Sequence, residues 1–175
     1  MSKTIYFGTY TKKESKGIYK AQFDPETGTL SHLELVAAEP NPTYIAFSEK
    51  GNLYSVGAEE GKGGIASFTA DFQPLNHVVE EGAPLCYVSV DNYHKGQVLV
   101  YKLEADGRLS FVDQDTHQGS GPHANQASPH THYADLTPDQ HLITCDLGTD
   151  SLHVYDVSEE GNLTLINQYQ TAPGA

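Results

Sequence analysis

Residues 97–109 read QVLVYKLEADGRL, and residues 151–163 read SLHVYDVSEEGNL. Each is a short run rich in β-forming residues that reaches a tyrosine (Tyr101, Tyr155) and turns at a glycine (Gly107, Gly161). A leucine follows eight residues after the tyrosine (Leu109, Leu163). The pattern recurs at 17–30, GIYKAQFDPETGTL, with Phe23, Gly28 and Leu30. It recurs again, without the turn glycine, at 63–75, GGIASFTADFQPL, with Phe68 and Leu75. The alternation has period two, and the glycines stand where a hairpin needs positive φ, so each stretch reads as two antiparallel strands.

A second kind of segment precedes three of these: PTYIAFSEKGNLYSVG (42–57), PLCYVSVDNYHKG (84–96) and THYADLTPDQHLITCDLG (131–148). Two of the three read as strand, tight turn, strand, and no stretch carries an amphipathic helical period. The aromatic markers are 45, 33 and 54 residues apart. A period near 45 with four short strands per unit is that of β-propeller blades. The expected fold is therefore all-β, with blade units at about 1–38, 39–82, 83–121 and 122–175. The long interval holds THQGSGPHANQASPH. In the short one YVSVD runs straight into NYHKG, as though roughly ten residues were deleted between Asp91 and Asn92, against a period of about 45. TIYFGTY matches a second strand and QTAPGA follows a fourth. The expectation is about three and a half blades, an unclosed ring and two open edges through which copies can associate.

Composition narrows the function classes. Ten basic residues against 23 acidic ones give a formal net charge of −13, so nucleic acid is not an expected partner. No apolar run approaches the roughly 20 residues of a membrane span, and MSKTIYFGTYTKKESKG lacks a signal peptide's apolar stretch. The expected location is the cytoplasm. Cys86 and Cys145 form no CxxC and read as small buried apolar residues. Tyr10, Tyr44 and Tyr87 read as fillers between blades. Nine of the ten basic residues are lysine, and Arg108 is the single arginine.

The densest polar stretch is Gly121-Pro122-His123-Ala124-Asn125-Gln126-Ala127-Ser128-Pro129-His130-Thr131-His132. It runs into the strand YADLTP, whose start opens onto an axial face if that strand is innermost. In extended chain His130 and His132 share one face. Three readings stay open on spacing alone. His132 acts as a general base on water, imidazole being the side chain that exchanges protons near neutral pH. Or His130 and His132 begin a metal site. Or the histidines bond backbone groups of their own loop. Asp146 either orients a histidine or makes an Asx turn with Gly148.

YFGTYT with GIY, GAPLCYVSVD, NYHKGQVLVYKLEADGRL and GSGPHANQASPHTHYADLTPDQHLITCDLGTDSLHVYD together resemble the lactonase family of seven-bladed propellers, the 6-phosphogluconolactonase type. Seven blades of about 45 residues need about 315, so the resemblance implies an N-terminal part of such a protein with a short internal deletion. It implies hydrolysis of a sugar-acid lactone, 6-phosphogluconolactone to 6-phosphogluconate in the pentose phosphate pathway, without metal or organic cofactor. The residue matching the family's proposed catalytic histidine is His132. His130, Asn125, Gln126, Lys95 and His94 are supporting candidates for binding the lactone. The family's mechanism also draws on an Arg and a Glu from later blades, within a GPRH-like motif and a following strand, which these 175 residues do not contain, so the alternative expectation is an inactive or assembly-dependent propeller fragment acting as a binding module.

Overall fold

The computed structural model describes residues 1–60, 62–80, 90–92 and 95–174. Among them there are fourteen strands and no helix, arranged as four antiparallel sheets that follow one another along the chain. The first is β1 (Lys3–Phe7), β2 (Gly17–Asp24) and β3 (Thr29–Ala38). The second is β4 (Ile45–Phe47), β5 (Leu53–Glu59), β6 (Lys62–Phe68) and β7 (Pro74–Glu80). The third is β8 (Val90–Asn92), β9 (Gln97–Leu103) and β10 (Leu109–Thr116). The fourth is β11 (Thr131–Leu136), β12 (Leu142–Asp146), β13 (Ser151–Val157) and β14 (Leu163–Gln170). This is an open stack of propeller blades, and each aromatic marker of the repeat lies on the next-to-outermost strand of its sheet. Among the described residues β8 pairs directly with β9, so an inner strand meets the hairpin with no strand between them. Cys86 and Tyr87 lie outside the described residues, while Asp91 and Asn92, the two sides of the proposed deletion point, are consecutive residues of β8.

The cores lie between sheets. Ile18 and Ala37 of the first sheet pack with Leu53, Ala66 and Phe68 of the second, and Val56 and Ile65 of the second pack with Leu99 of the third. The leucines of the repeat open the outermost strands, and the preceding sheet holds two of their amides. Leu109 N–H donates to Asn76 Oδ1 (3.1 Å) and Leu163 N–H to Asp113 Oδ2 (2.7 Å). These bonds tie the outermost strands of the third and fourth sheets to the sheet before each.

A further position recurs just past the outermost strand. Glu39, His117 and Thr171 each donate their backbone N–H to the residue before the next-to-outermost strand of their own sheet: to Lys16 O (3.2 Å), Gly96 O (2.9 Å) and Asp150 O (2.8 Å). The side chains of Glu39 and His117 then enter the next sheet. Glu39 accepts from Ala58 N–H (3.1 Å) and pairs with His77 (2.7 Å). Gly57 leaves the room, since a Cβ there would fall 2.0 Å from Glu39 Oε1.

Tyr10 and Tyr44 do not fill inter-blade space. Tyr10 is 67% exposed, its ring under the Lys12 ammonium, and Tyr44 is also exposed. Tyr10 lies in the loop after β1 and Tyr44 immediately before β4. Cys145 is half-buried rather than buried, because it sits on the uncovered face of the last sheet.

Candidate functional site

The loop from His117 to His130 is closed on itself and tied to the turn after β12. Gly121 N–H donates to Gln126 O, and Gln126 N–H to His123 O, both at 2.9 Å. The Gln126 carboxamide is buried and spent on this loop. Its Oε1 accepts from His123 N–H (3.1 Å), and its Nε2 donates to Leu147 O (2.8 Å) and Asp150 Oδ1 (2.7 Å). On the other side, His130 N–H donates to Asp146 Oδ1 (2.8 Å) and Leu147 N–H to His130 O (2.9 Å). Loop and turn approach so closely that a Cβ on Gly148 would stand 2.0 Å from Ser128 O. Between them lies a polar cleft of about 370 Å³ lined by His123, Asn125, Gln126, His130, Leu147, Asp150 and Gly174.

The structure thus gathers three of the sequence candidates, Asn125, Gln126 and His130, and adds His123. His132 does not line that cleft. Thr131 pairs with Asp146 and Tyr133 with the next residue back, Cys145, so His132 is the extra residue of a β-bulge. The bulge breaks the two-residue alternation, so His130 and His132 do not share a strand face as the extended reading expected. A bulge re-aims the side chain it carries, and here it does so at the entrance of the innermost strand. Lys95 is exposed in the turn before Gly96, whose Cα lies against Pro129 of the loop. His94 lies outside the described residues. Arg108 stands in the β9–β10 hairpin beside Asp106, away from the cleft. Among the described residues no three His, Cys, Asp or Glu side chains gather as a metal site needs.

Asp146 does both things the sequence left open. Its Oδ1 caps the turn, accepting from Gly148 N–H (2.8 Å) and Thr149 N–H (3.1 Å) as well as from His130. Its Oδ2 pairs with a histidine at 2.7 Å, and that histidine is His117. His117 Nε2 lies 2.9 Å from Tyr155 Oη, which donates to Asp115 Oδ2 at 2.8 Å. All these bonds are made at once when both ring nitrogens carry hydrogen. His153 stacks on His117 with ring centroids 3.7 Å apart, its Nδ1 buried without a hydrogen-bond partner. Burial first, then the charge of His117, pushes His153 down to about 4. Burial opposes the charge on Asp146, but the His117 bond and the amides of His130 and Gly148 outweigh it and hold the carboxyl below its usual range. Burial and the bond to Asp115 raise the Tyr155 phenol. With the side chains of His117 and Asp146 wholly buried, this network ties the third sheet to the fourth and holds the backbone at His130.

The family model for the lactonase, 7-bladed beta-propeller, matches residues 4–175. The chain belongs to the lactonase family. It is 41% identical to the 6-phosphogluconolactonase of Bacillus subtilis, a match that covers 100% of this chain and 55% of that protein. The match runs over 193 positions, more than the 175 residues here, so that relative carries segments this chain lacks. A Lactobacillus plantarum crystal structure superposes with a TM-score of 0.94 at 43% identity, covering 99% of this chain and 55% of that one. A putative 6-phosphogluconolactonase from Bacteroides fragilis does so with a TM-score of 0.89 at 31% identity, covering 99% and 56%. The lactonase-family chain described here therefore spans about half the length of the relatives it matches. Among its described residues no helix is long and apolar enough to cross a membrane.

His117 is not among the candidates the sequence offers, where it is the second residue of the insertion-like stretch THQGSGPHANQASPH. The available signal was positional: His117 follows its outermost strand as Glu39 follows β3, and both are ionisable.

Proposed function

We propose that the protein is a cytoplasmic hydrolase that opens a sugar-acid lactone, 6-phosphogluconolactone first among them, with His132 as general base. The observation that carries this reading is the bulge: His132 is the one residue of β11 set out of alternation, at the strand's entrance and two residues from the cleft-lining His130. The 6-phosphogluconolactonase name of the Bacillus relative supports the choice of substrate.

His132 takes a proton from water as the water oxygen bonds to the lactone carbonyl carbon. The ring C–O bond then breaks, the departing alkoxide receives the proton, and the open acid remains. Attack leaves negative charge on the carbonyl oxygen, which preorganised donors must meet. Asn125 and His123 line the cleft and offer side-chain donors to a polyol, and Lys95 stands in the turn before Gly96, beside Pro129. No guanidinium reaches the cleft, because Arg108 is committed to an outer hairpin. Full activity then needs donors from further blades or from a second chain.

The test is loss of 6-phosphogluconolactone above its spontaneous hydrolysis, with and without the chain, and with His132→Ala. Consumption that His132→Ala removes supports the reading; consumption that His132→Ala leaves unchanged refutes it.

A further inference from the structure

One carboxylate holds both ends of the loop that lines the cleft. Asp146 Oδ2 pairs with the ring of His117, where the loop begins, and Asp146 Oδ1 accepts the backbone N–H of His130, where it ends. Oδ1 also takes the amides of Gly148 and Thr149, but these belong to the turn that Asp146 itself begins and move with it. The torsion that turns a carboxylate is soft, so its plane is set by its partners. His117 is the partner with a fixed place of its own. Its backbone N–H donates to Gly96 O (2.9 Å), its Nε2 meets Tyr155 Oη (2.9 Å), and its ring lies on His153 with centroids 3.7 Å apart. A wholly buried imidazole held in this way does not follow the carboxylate; the carboxylate follows it.

Tying two sheets together does not by itself require this arrangement. Glu39 holds the corresponding position after β3 and reaches Ala58 near the end of β5, as His117 reaches Asp146 at the end of β12. Yet β4 pairs with β5 without a break: Ile45 with Ser55, Ala46 with Tyr54 and Phe47 with Leu53. In the fourth sheet Asp146 holds the His130 amide while pairing with Thr131, and the next pair is Tyr133 with Cys145. The strand takes its extra residue, His132, at that carboxylate. A bulge re-aims the side chain it carries, so the direction of His132 depends on where Asp146 Oδ1 stands.

We propose that His117 is a positioning residue for the segment His130 to His132, acting through Asp146: the donor at its Nδ1 fixes the carboxylate, and the carboxylate fixes the bulge. In taking His132 as the base, this rests on the lactonase reading above. What the position requires is an N–H aimed at Oδ2, not an imidazole as such.

The experiment replaces the ring by each of two amides in the isotope-labelled chain, with far-UV circular dichroism confirming strand content. His117→Asn puts an N–H where Nδ1 stands and keeps the bond to Asp146. His117→Gln puts one where Nε2 stands and loses that bond. The readouts are the His130 amide proton resonance and the titration curve of the His132 ring. Both should move in His117→Gln and both should keep their wild-type values in His117→Asn, whereas a role in stability alone would treat the two variants alike. His132-dependent loss of 6-phosphogluconolactone should fall in His117→Gln by up to about 10²-fold, the cost of a misplaced reacting group, and recover in His117→Asn. Readouts that stay at wild-type values in folded His117→Gln overturn the proposal. Readouts that move in His117→Asn also overturn it, and that arm decides even where the Gln variant does not fold. Lactone loss that never depends on His132 refutes the lactonase reading and leaves the two resonance readouts to judge His117. His132-dependent loss that is equal in wild type and His117→Gln overturns the proposal and leaves that reading standing.

Discussion

His117 Nδ1 stands 2.7 Å from Asp146 Oδ2 across the boundary between the third and fourth sheets, with both side chains wholly out of solvent. Glu39 and His77 form the corresponding pair between the first and second sheets, also at 2.7 Å, with acid and base exchanged between the blades. Removing one partner of such a pair leaves the other buried and uncompensated, which costs about 3–5 kcal/mol. His117→Ala and Asp146→Ala are each expected to lower unfolding free energy by about that much. The double variant should cost less than the two singles summed, which a denaturant double-mutant cycle measures.

The stacked histidines give stability a pH dependence whose sign is fixed. His153 titrates at about 4 in the folded chain and near the ordinary 6.5 when unfolded. Between those values the unfolded chain binds the extra proton, so stability is complete above about 6.5 and falls as pH drops toward 4. The depressed Asp146 carboxyl acts in the same direction, its contribution fading as pH falls below the usual carboxylate range. The His153 share amounts to about 3 kcal/mol. In His153→Phe, which keeps a ring against His117 and removes the unpaired Nδ1, urea midpoints measured from pH 7 to pH 4.5 should fall less steeply than in the wild-type chain.

Gly148 is held by proximity to the loop. A methyl group there meets Ser128 O at 2.0 Å and His130 N at 2.7 Å, both backbone atoms that cannot swing aside. Gly148→Ala is expected to cost about 1–3 kcal/mol, the range for forced overpacking. It should also shift the amide resonances of Ser128 through His130 while leaving those of β2 in place.

The sequence repeat carried the fold because it marks strands by period and turns by glycine, and both are local. Tyr101 with Leu109 and Tyr155 with Leu163 lie on next-to-outermost strands and outer-strand starts as hairpin spacing requires. The site was less legible, since it depends on contacts between blades. Nothing local to His117 says that it will meet Asp146, twenty-nine residues on, or stack on His153. Nor does PHTHYADL declare a bulge: the extra residue at His132 arises where Asp146 holds the His130 amide while Thr131 stays paired to Asp146. Gln126 reads as a ligand for substrate hydroxyls in sequence, yet its carboxamide is filled by Leu147, Asp150 and His123.

That assignment of Gln126 has its own test. Gln126→Ala removes two bonds that join the loop to the turn after β12 and one within the loop, and hydrogen exchange at the amides of Gly121 and His123 should quicken at least about tenfold, the equivalent of 1.4 kcal/mol. Exchange unchanged at both amides would show that the loop stands without it.

The central claim, that His132 is the base of a lactonase site, is tested most directly in a chimera joining this chain to the remaining blades of the Bacillus subtilis relative. The measurement is kcat/KM for 6-phosphogluconolactone with His132 and with His132→Ala, at matched strand content by circular dichroism. The account predicts a fall of about 10²–10⁴-fold, the range for loss of a general base. Equal kcat/KM in the two proteins would contradict it.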